Sequence, residues 1–136
     1  MTLANLHIEW ARLLVGSLVQ AGVERVIISP GARSTPLVIA ALRTPGLEIV
    51  DVLDERSAAF VALGSARASG HPALLICTSG TAGAHYLPAL IEAKYARVPV
   101  IALTADRPPE LQERDAPQTI DQRRLFGEHV LSAVDL

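Results

Sequence analysis

The residues best equipped for chemistry fall into four short, turn-rich stretches. Ser29-Pro30-Gly31-Ala32-Arg33-Ser34 and Asp106-Arg107-Pro108 each carry a guanidinium, Asp54-Glu55-Arg56-Ser57 carries two adjacent carboxyl groups, and Ser79-Gly80-Thr81 carries hydroxyls beside a glycine. Glu55 opens a helix-like run. It reads either as an acid favouring the positive end of a helix or as a semi-buried carboxyl that hydrogen-bonds a ligand nitrogen. Arg33 and Arg107 are either solvated surface charges or a bidentate grip on a carboxylate or phosphate. Ser79-Gly80-Thr81 can be an ordinary turn with a threonine cap or a set of N–H donors aimed at an anion. Gln118 lies in the irregular stretch Ala116-Pro117-Gln118, where a lone glutamine is normally surface.

Other chemistries are excluded by what the spacing lacks. There is no Walker loop, no GxGxxG, no nucleophile elbow, no HExxH and no CxxC. His7, His71, His85 and His129 have no zinc-type spacing, so no metal site made by protein side chains alone is expected.

These residues need elements to position them, and helix-like and strand-like runs alternate along the chain. Asn5 can cap a first helix that ends at Gly22. Arg25 to Ser29 reads as a strand, and Ser34 can cap a helix with Pro36 in its first turn. Glu48 to Leu53 is the next strand, after Gly46. Asp54 can cap a helix from Glu55 to about Ser69, stopped by Gly70. Ala73 to Thr78 is a continuously apolar strand, followed by a helix from Thr81 to about Ala96. Pro99 to Ala105 is the next strand. Beyond it the pattern predicts a helix between Thr119 and His129 and a short strand near Val130 to Val134. Phe60, Tyr86, Tyr95 and Phe126 fall at helical positions and read as core or interface.

Apolar strands alternating with helices imply an α/β three-layer sandwich, a mostly parallel sheet with helices on both faces. In such sheets functional groups gather beyond the strand carboxyl ends. The four equipped stretches all follow strands, so they are expected on one edge.

Composition agrees. The 136 residues suffice for one domain, read as residues 1–136, and 50% are hydrophobic but only 4% aromatic. The core must be Ala, Val, Leu and Ile, which suits helices on a buried sheet. A net charge of -2 offers no basic patch for nucleic acid or an anionic membrane. Cys77, the single cysteine, excludes an internal disulfide and reads as buried and inert. No run of about 18 apolar residues predicts a transmembrane helix. Trp10 to Val19 lacks the flanks of a signal peptide, so the cytoplasm is the expected location. A mean hydropathy of +0.33 suggests apolar surface covered by other domains or a partner subunit.

Five segments in order carry a resemblance. Ser29-Pro-Gly-Ala-Arg-Ser-Thr-Pro-Leu37, Asp54-Glu-Arg-Ser-Ala-Ala-Phe60, Cys77-Thr-Ser-Gly-Thr-Ala82, Leu103-Thr-Ala-Asp-Arg-Pro-Pro-Glu-Leu111 and Pro117-Gln118 resemble the N-terminal, pyrimidine-binding domain of the thiamine-diphosphate-dependent SEPHCHC synthases, the MenD family. That resemblance implies a transferase of menaquinone biosynthesis. Such an enzyme decarboxylates 2-oxoglutarate on thiamine diphosphate with Mg²⁺ and adds the resulting unit to isochorismate. It implies that Glu55 is catalytic and hydrogen-bonds N1′ of the aminopyrimidine, and that Thr78, Ser79, Gly80 and Thr81 also contact the cofactor. Positions Ala32, Arg33, Arg107 and Gln118 correspond to the family's substrate contacts.

It further implies a homo-oligomer, dimer or tetramer, with middle and C-terminal diphosphate-binding domains outside these 136 residues, and an isolated chain that is inactive. Three positions depart from the family pattern: Ala32 stands where Ser is usual, His85 where Asn is common, and Pro117 where some members have Asn. A small subunit of a split thiamine-diphosphate decarboxylase and a non-catalytic anion-binding regulatory domain remain as alternatives.

Overall fold

The computed structural model describes residues 3–112 and 114–136. Helix α1 spans Leu3–Gln20, strand β1 Arg25–Ile28, helix α2 Thr35–Arg43, strand β2 Glu48–Asp51 and helix α3 Glu55–Ser69. Strand β3 spans Ala73–Cys77, helix α4 Thr81–Ala84, helix α5 Leu87–Ala96 and strand β4 Val100–Thr104. The four strands form one sheet in the order β2-β1-β3-β4, and every pairing is parallel. This is the α/β architecture expected from the alternating pattern.

The apolar strands are buried because both faces are covered, and their side chains alternate between two cores. Val26, Ile28, Leu74 and Ile76 face one way, onto Ala11 and Val15 of α1 and Ala40 and Ala41 of α2. Ile27, Ala73, Leu75 and Cys77 face the other way, onto Ala58, Ala59, Ala62 and Ala66 of α3 and Ala89 and Leu90 of α5. The alanine-rich stripe of α3 lets that helix lie close on the sheet. Small residues there, rather than aromatic ones, are how a chain with so few rings fills its interior.

The order 2-1-3-4 reverses direction between β1 and β3. The chain leaves β1 toward β2, then returns past it to β3. Loops at this reversal diverge to opposite faces, which opens a crevice at the carboxyl ends of the central strands. All four equipped stretches follow strand carboxyl ends in this sheet, as expected.

Several local expectations need correction. Asn5 lies within α1, which begins at Leu3, so it is not the cap. The Ser34 hydroxyl makes no cap bond to α2. It turns back, donating to the Gly31 carbonyl at 3.0 Å while accepting from the Gly31 N–H at 3.2 Å. Thr81 does not cap the helix after β3 either: Gly80 is the N-cap, without a side-chain bond. The expected single helix from Thr81 to Ala96 is two, broken at His85-Tyr86 ahead of Pro88. Tyr95 is not core but largely exposed.

The largest correction lies after Pro109. No helix spans Thr119 to His129, and no strand forms near Val130 to Val134. Leu125, Gly127 and His129 close i→i−3 turns instead, with a 3₁₀ turn at Gly127–His129. Tertiary contacts override the helical pattern here. Leu125 lies against Gly83, Phe126 and Val130 pack on the α3 side of the sheet, and Gln122 is drawn inward. Other expectations match: Asp54 accepts the Ser57 N–H at 2.8 Å as the cap of α3, and Gly70 ends it in the left-handed region.

Candidate functional site

Glu55 is the first residue of α3, directly beyond the β2 edge of the sheet. The Asp54 cap fixes where the helix begins and therefore where Glu55 points. The Ser57 N–H holds the Asp54 carboxyl below its ordinary value, helped by the Ser57 hydroxyl. Asp54 is thus occupied as a cap, while Glu55 is half-buried and makes no hydrogen bond or ion pair with any described residue.

Behind it lies an apolar wall. Tyr86 and Cys77 are fully buried, and the nearby Glu55 charge disfavours ionisation of both. Burial is the larger cause: it pushes the Cys77 thiol up to about 12 and raises the Tyr86 phenol further. Cys77 is therefore buried and held as the thiol, as its apolar run suggested. The buried Tyr86 hydroxyl, close to Cys77 and Ser29, has no hydrogen-bond partner among the described residues, while Ser29 Oγ donates to the Val52 carbonyl at 2.7 Å.

The turn after β1 packs directly on the end of β3. A Cβ on Gly31 would lie 2.4 Å from Thr78 Cβ, so only glycine allows this approach. Ala32 and Arg33 follow in an exposed 3₁₀ turn, and the Arg33 guanidinium has no ion-pair or hydrogen-bond partner among the described residues.

Thr78, Ser79 and Gly80 are buried at the carboxyl end of β3, and Thr81 is exposed. Gly80 sits at φ 79°, ψ −142°, and a Cβ there would meet the Gln118 carbonyl oxygen at 2.8 Å. Gln118, itself at φ 59°, accepts from Ser79 Oγ on its carbonyl at 3.0 Å and donates from Nε2 to the Ser79 carbonyl at 3.1 Å. Its carboxamide is thus spent on the turn rather than left open. Arg107 donates from a terminal nitrogen to the Pro117 carbonyl at 2.7 Å, while its buried Nε lacks a partner.

The structure therefore joins Ser79, Gly80, Arg107 and Gln118 into one hydrogen-bonded assembly, with Thr78 and Thr81 on either side, and places Gly31 against Thr78. Among the described residues no hydrogen bond or ion pair links Glu55 to Arg33, Arg107 or Gln118. Two residues were missed. The pattern gives Tyr86 only as core or interface, and nothing in it announces its unpaired hydroxyl. Gln122 was not singled out, although it accepts the Gly80 N–H at 2.8 Å and donates to the Ala105 carbonyl at 3.0 Å. The only hint was its place four residues after Gln118.

The described residues contain no group of three or more His, Cys, Asp or Glu able to hold a metal. No described helix is long and apolar enough to cross a membrane.

Residues 8–125 match the family described as "Thiamine pyrophosphate enzyme, N-terminal TPP binding domain". The chain belongs to that family. Among its relatives are proteins named 2-succinyl-5-enolpyruvyl-6-hydroxy-3-cyclohexene-1-carboxylate synthase. The one from Sorangium cellulosum is 55% identical over 98% of this chain and 22% of its own length. The one from Halorubrum lacusprofundi is 57% identical over 100% of this chain and 22% of its own length. The one from Lysinibacillus sphaericus is 58% identical over 93% of this chain and 22% of its own length. The chain thus spans 22% of the length of these relatives and corresponds to their thiamine-pyrophosphate-binding N-terminal part.

The geometry suits the family's cofactor. A half-buried carboxyl with no protein partner, set against an apolar wall, is chemically matched to a heteroaromatic nitrogen. The carboxyl ends of the central strands offer the buried Thr78-Ser79-Gly80 backbone beside it.

Proposed function

We propose that this chain is the N-terminal domain of a SEPHCHC synthase, which decarboxylates 2-oxoglutarate and transfers the resulting four-carbon unit to isochorismate in menaquinone biosynthesis. Thiamine diphosphate, when bound, supplies a thiazolium that stabilises carbanion character at the reacting carbon. Glu55 holds a proton between its carboxyl oxygen and N1′ of the aminopyrimidine. Thr78, Ser79, Gly80 and Thr81 form the turn beside that ring. Arg33, with its free guanidinium, and Arg107, with its unpaired Nε, supply charge for the carboxylates of isochorismate. Ala32 borders the same site without a hydroxyl to offer. Gln118 acts there through the turn it braces.

The reading also assigns Mg²⁺ and the diphosphate to a C-terminal domain, with residues 1–136 as one domain, the complete enzyme a cytoplasmic homo-oligomer and the isolated chain inactive. The exposed Phe60 and Val61 on α3, five and six residues beyond Glu55, suit a face that another domain covers.

The single observation that carries this proposal is the unpaired, half-buried Glu55 carboxyl at the first turn of α3. The test is the complete enzyme with thiamine diphosphate, Mg²⁺, 2-oxoglutarate and isochorismate, followed by mass spectrometry of the product. Adduct formation is expected, and Glu55→Gln should cut exchange of the cofactor C2 proton by at least about a hundredfold without changing the melting temperature. Exchange near the wild-type rate in that variant would remove Glu55 from the proton path. Turnover of a different 2-oxo acid alone would overturn the substrate assignment.

A further inference from the structure

We propose that Gln122 is a positioning residue for the site. Its carboxamide holds the Ser79-Gly80 turn and the base of the Arg107 loop in one fixed relation. The inference rests on the reading that this turn faces the cofactor, and it adds a residue that the five resemblance segments do not contain.

Gly80 adopts φ 79°, ψ −142°, one of many conformations open to glycine, so its surroundings must select it. Its buried N–H points to Gln122 Oε1 at 2.8 Å. The same carboxamide donates from Nε2 to the carbonyl of Ala105 at 3.0 Å. Ala105 follows β4 and stands two residues before Arg107. One side chain thus spans the carboxyl ends of β3 and β4 and contacts only backbone at both. Gln118, four residues earlier, makes the two remaining bonds to Ser79. Among the described residues the turn is held from a segment that has no regular secondary structure of its own between Arg114 and Phe126.

The chemistry of the contact selects glutamine. One end must accept from an N–H and the other must donate to a C=O, which an ionised carboxylate cannot do. Asparagine is one methylene shorter and reaches one partner but not both. A methionine of similar size leaves the Gly80 N–H and the Ala105 carbonyl without partners. Gly80 is then free to sample other backbone conformations, and the Arg107 loop loses its tie to it.

The test uses the complete enzyme carrying Gln122→Met or Gln122→Glu, with three readouts. Hydrogen exchange of the peptide containing Gly80, measured without cofactor, should accelerate in both variants. Calorimetric titration with thiamine diphosphate and Mg²⁺ should show affinity reduced by about tenfold, the effect of one lost hydrogen bond and a stranded donor. The deficit of Gln122→Glu should shrink as pH falls toward that carboxyl's pKa, because the protonated acid regains a donor for Ala105. Gln122→Met has no group to titrate and should show no such rescue.

Unchanged Gly80 exchange together with unchanged affinity overturns the proposal. So does a lowered melting temperature with cofactor affinity and KM intact, which marks a merely structural staple. If Gln122→Met does not fold, the pH dependence of Gln122→Glu decides alone, and a flat profile refutes the role. Wild-type enzyme that binds no thiamine diphosphate sinks the functional reading instead, and Gly80 exchange still tests the clamp.

Discussion

Replacing Gly80 with alanine should destabilise the chain far more than the same change at Gly70, although both glycines have nearly the same φ. Gly70 sits at φ 76°, ψ 1°, with nothing within 4 Å of the position a Cβ would occupy. Alanine there meets only the left-handed backbone penalty, about 1 kcal/mol. Gly80 shares φ 79°, but its ψ of −142° lies near a region tolerated by glycine alone. That backbone cost is about 1–3 kcal/mol.

A second cost adds to it, because the new methyl would stand 2.8 Å from the Gln118 carbonyl oxygen and 2.9 Å from its Cγ. The carbonyl cannot swing away cheaply, since it accepts the Ser79 hydroxyl at 3.0 Å. Overpacking of this kind costs about 1–3 kcal/mol. The sum centres on about 4 kcal/mol. For 136 residues, an unfolding entropy of about 2.1 cal/mol/K per residue converts each kcal/mol into about 3.5 °C.

Gly80→Ala should therefore lower the melting temperature by about 14 °C and Gly70→Ala by about 4 °C, read by circular dichroism with reversibility checked. Equal shifts would mean that the Gln118 segment does not press on the turn. The argument that residues 118–122 fix the turn would then fail with it.

Two further predictions follow from the groups around Glu55. With its pKa near 12 in the folded chain against about 9 unfolded, Cys77 contributes stability that is fully present below pH 9 and lost as pH rises toward 12. Denaturant midpoints should fall between pH 9 and pH 10 with a slope approaching about 1.4 kcal/mol per pH unit, and Cys77→Ala should flatten that fall; an unchanged slope would contradict the burial of the thiol. At the other end of the scale, the Asp54 cap holds its carboxyl below the ordinary value, so its contribution is present above pH 3.8 and lost as pH falls further. Asp54→Asn keeps an acceptor for the Ser57 N–H and should be milder than Asp54→Ala, with the difference read from helix content and denaturant midpoint; equal effects would deny the cap its role.

The sheet was legible because burial on both faces writes itself into composition. Ala73-Leu74-Leu75-Ile76-Cys77 is apolar throughout and is buried throughout. Glycines at positions 22, 46 and 70 mark element ends, and all three have positive φ. Asp54 at the start of α3 was legible because capping is local, a bond across three residues. From the sheet alone, the rule that loops gather at strand carboxyl ends placed Glu55, Ser79, Gly80 and Arg107 on one edge.

What failed was decided at long range. The pattern between Thr119 and His129 reads as a helix, but Leu125 and Phe126 are held against the α4 and α3 side of the sheet. Ser34 and Thr81 are good capping residues in isolation. Each lost that role when a neighbour was fixed by contact with a distant segment: Gly31 by Thr78 at the end of β3, and Gly80 by Gln118.

The same distinction explains why Glu55 and Gln122 differ so much in visibility. Glu55 has a local address. A strand ends, a cap forms, and the next residue must project from the first turn of a helix at the sheet edge. Its lack of a protein partner among the described residues leaves the carboxyl free, which is the observation the proposed cofactor contact rests on. Gln122 has no local address. Its position depends on a chain that returns from β4 and lays an irregular segment across the end of β3, and neither partner of its carboxamide is a side chain. A backbone N–H and a backbone carbonyl leave no trace in composition or spacing. Yet Gly80, which as a glycine could adopt many conformations, is held at φ 79° by the bonds that the Ser79-Gly80 turn makes to Gln118 and Gln122. The turn thus depends on the residue that is hardest to read, and substitutions at Gln118 and Gln122 should perturb Gly80 before they perturb the sheet.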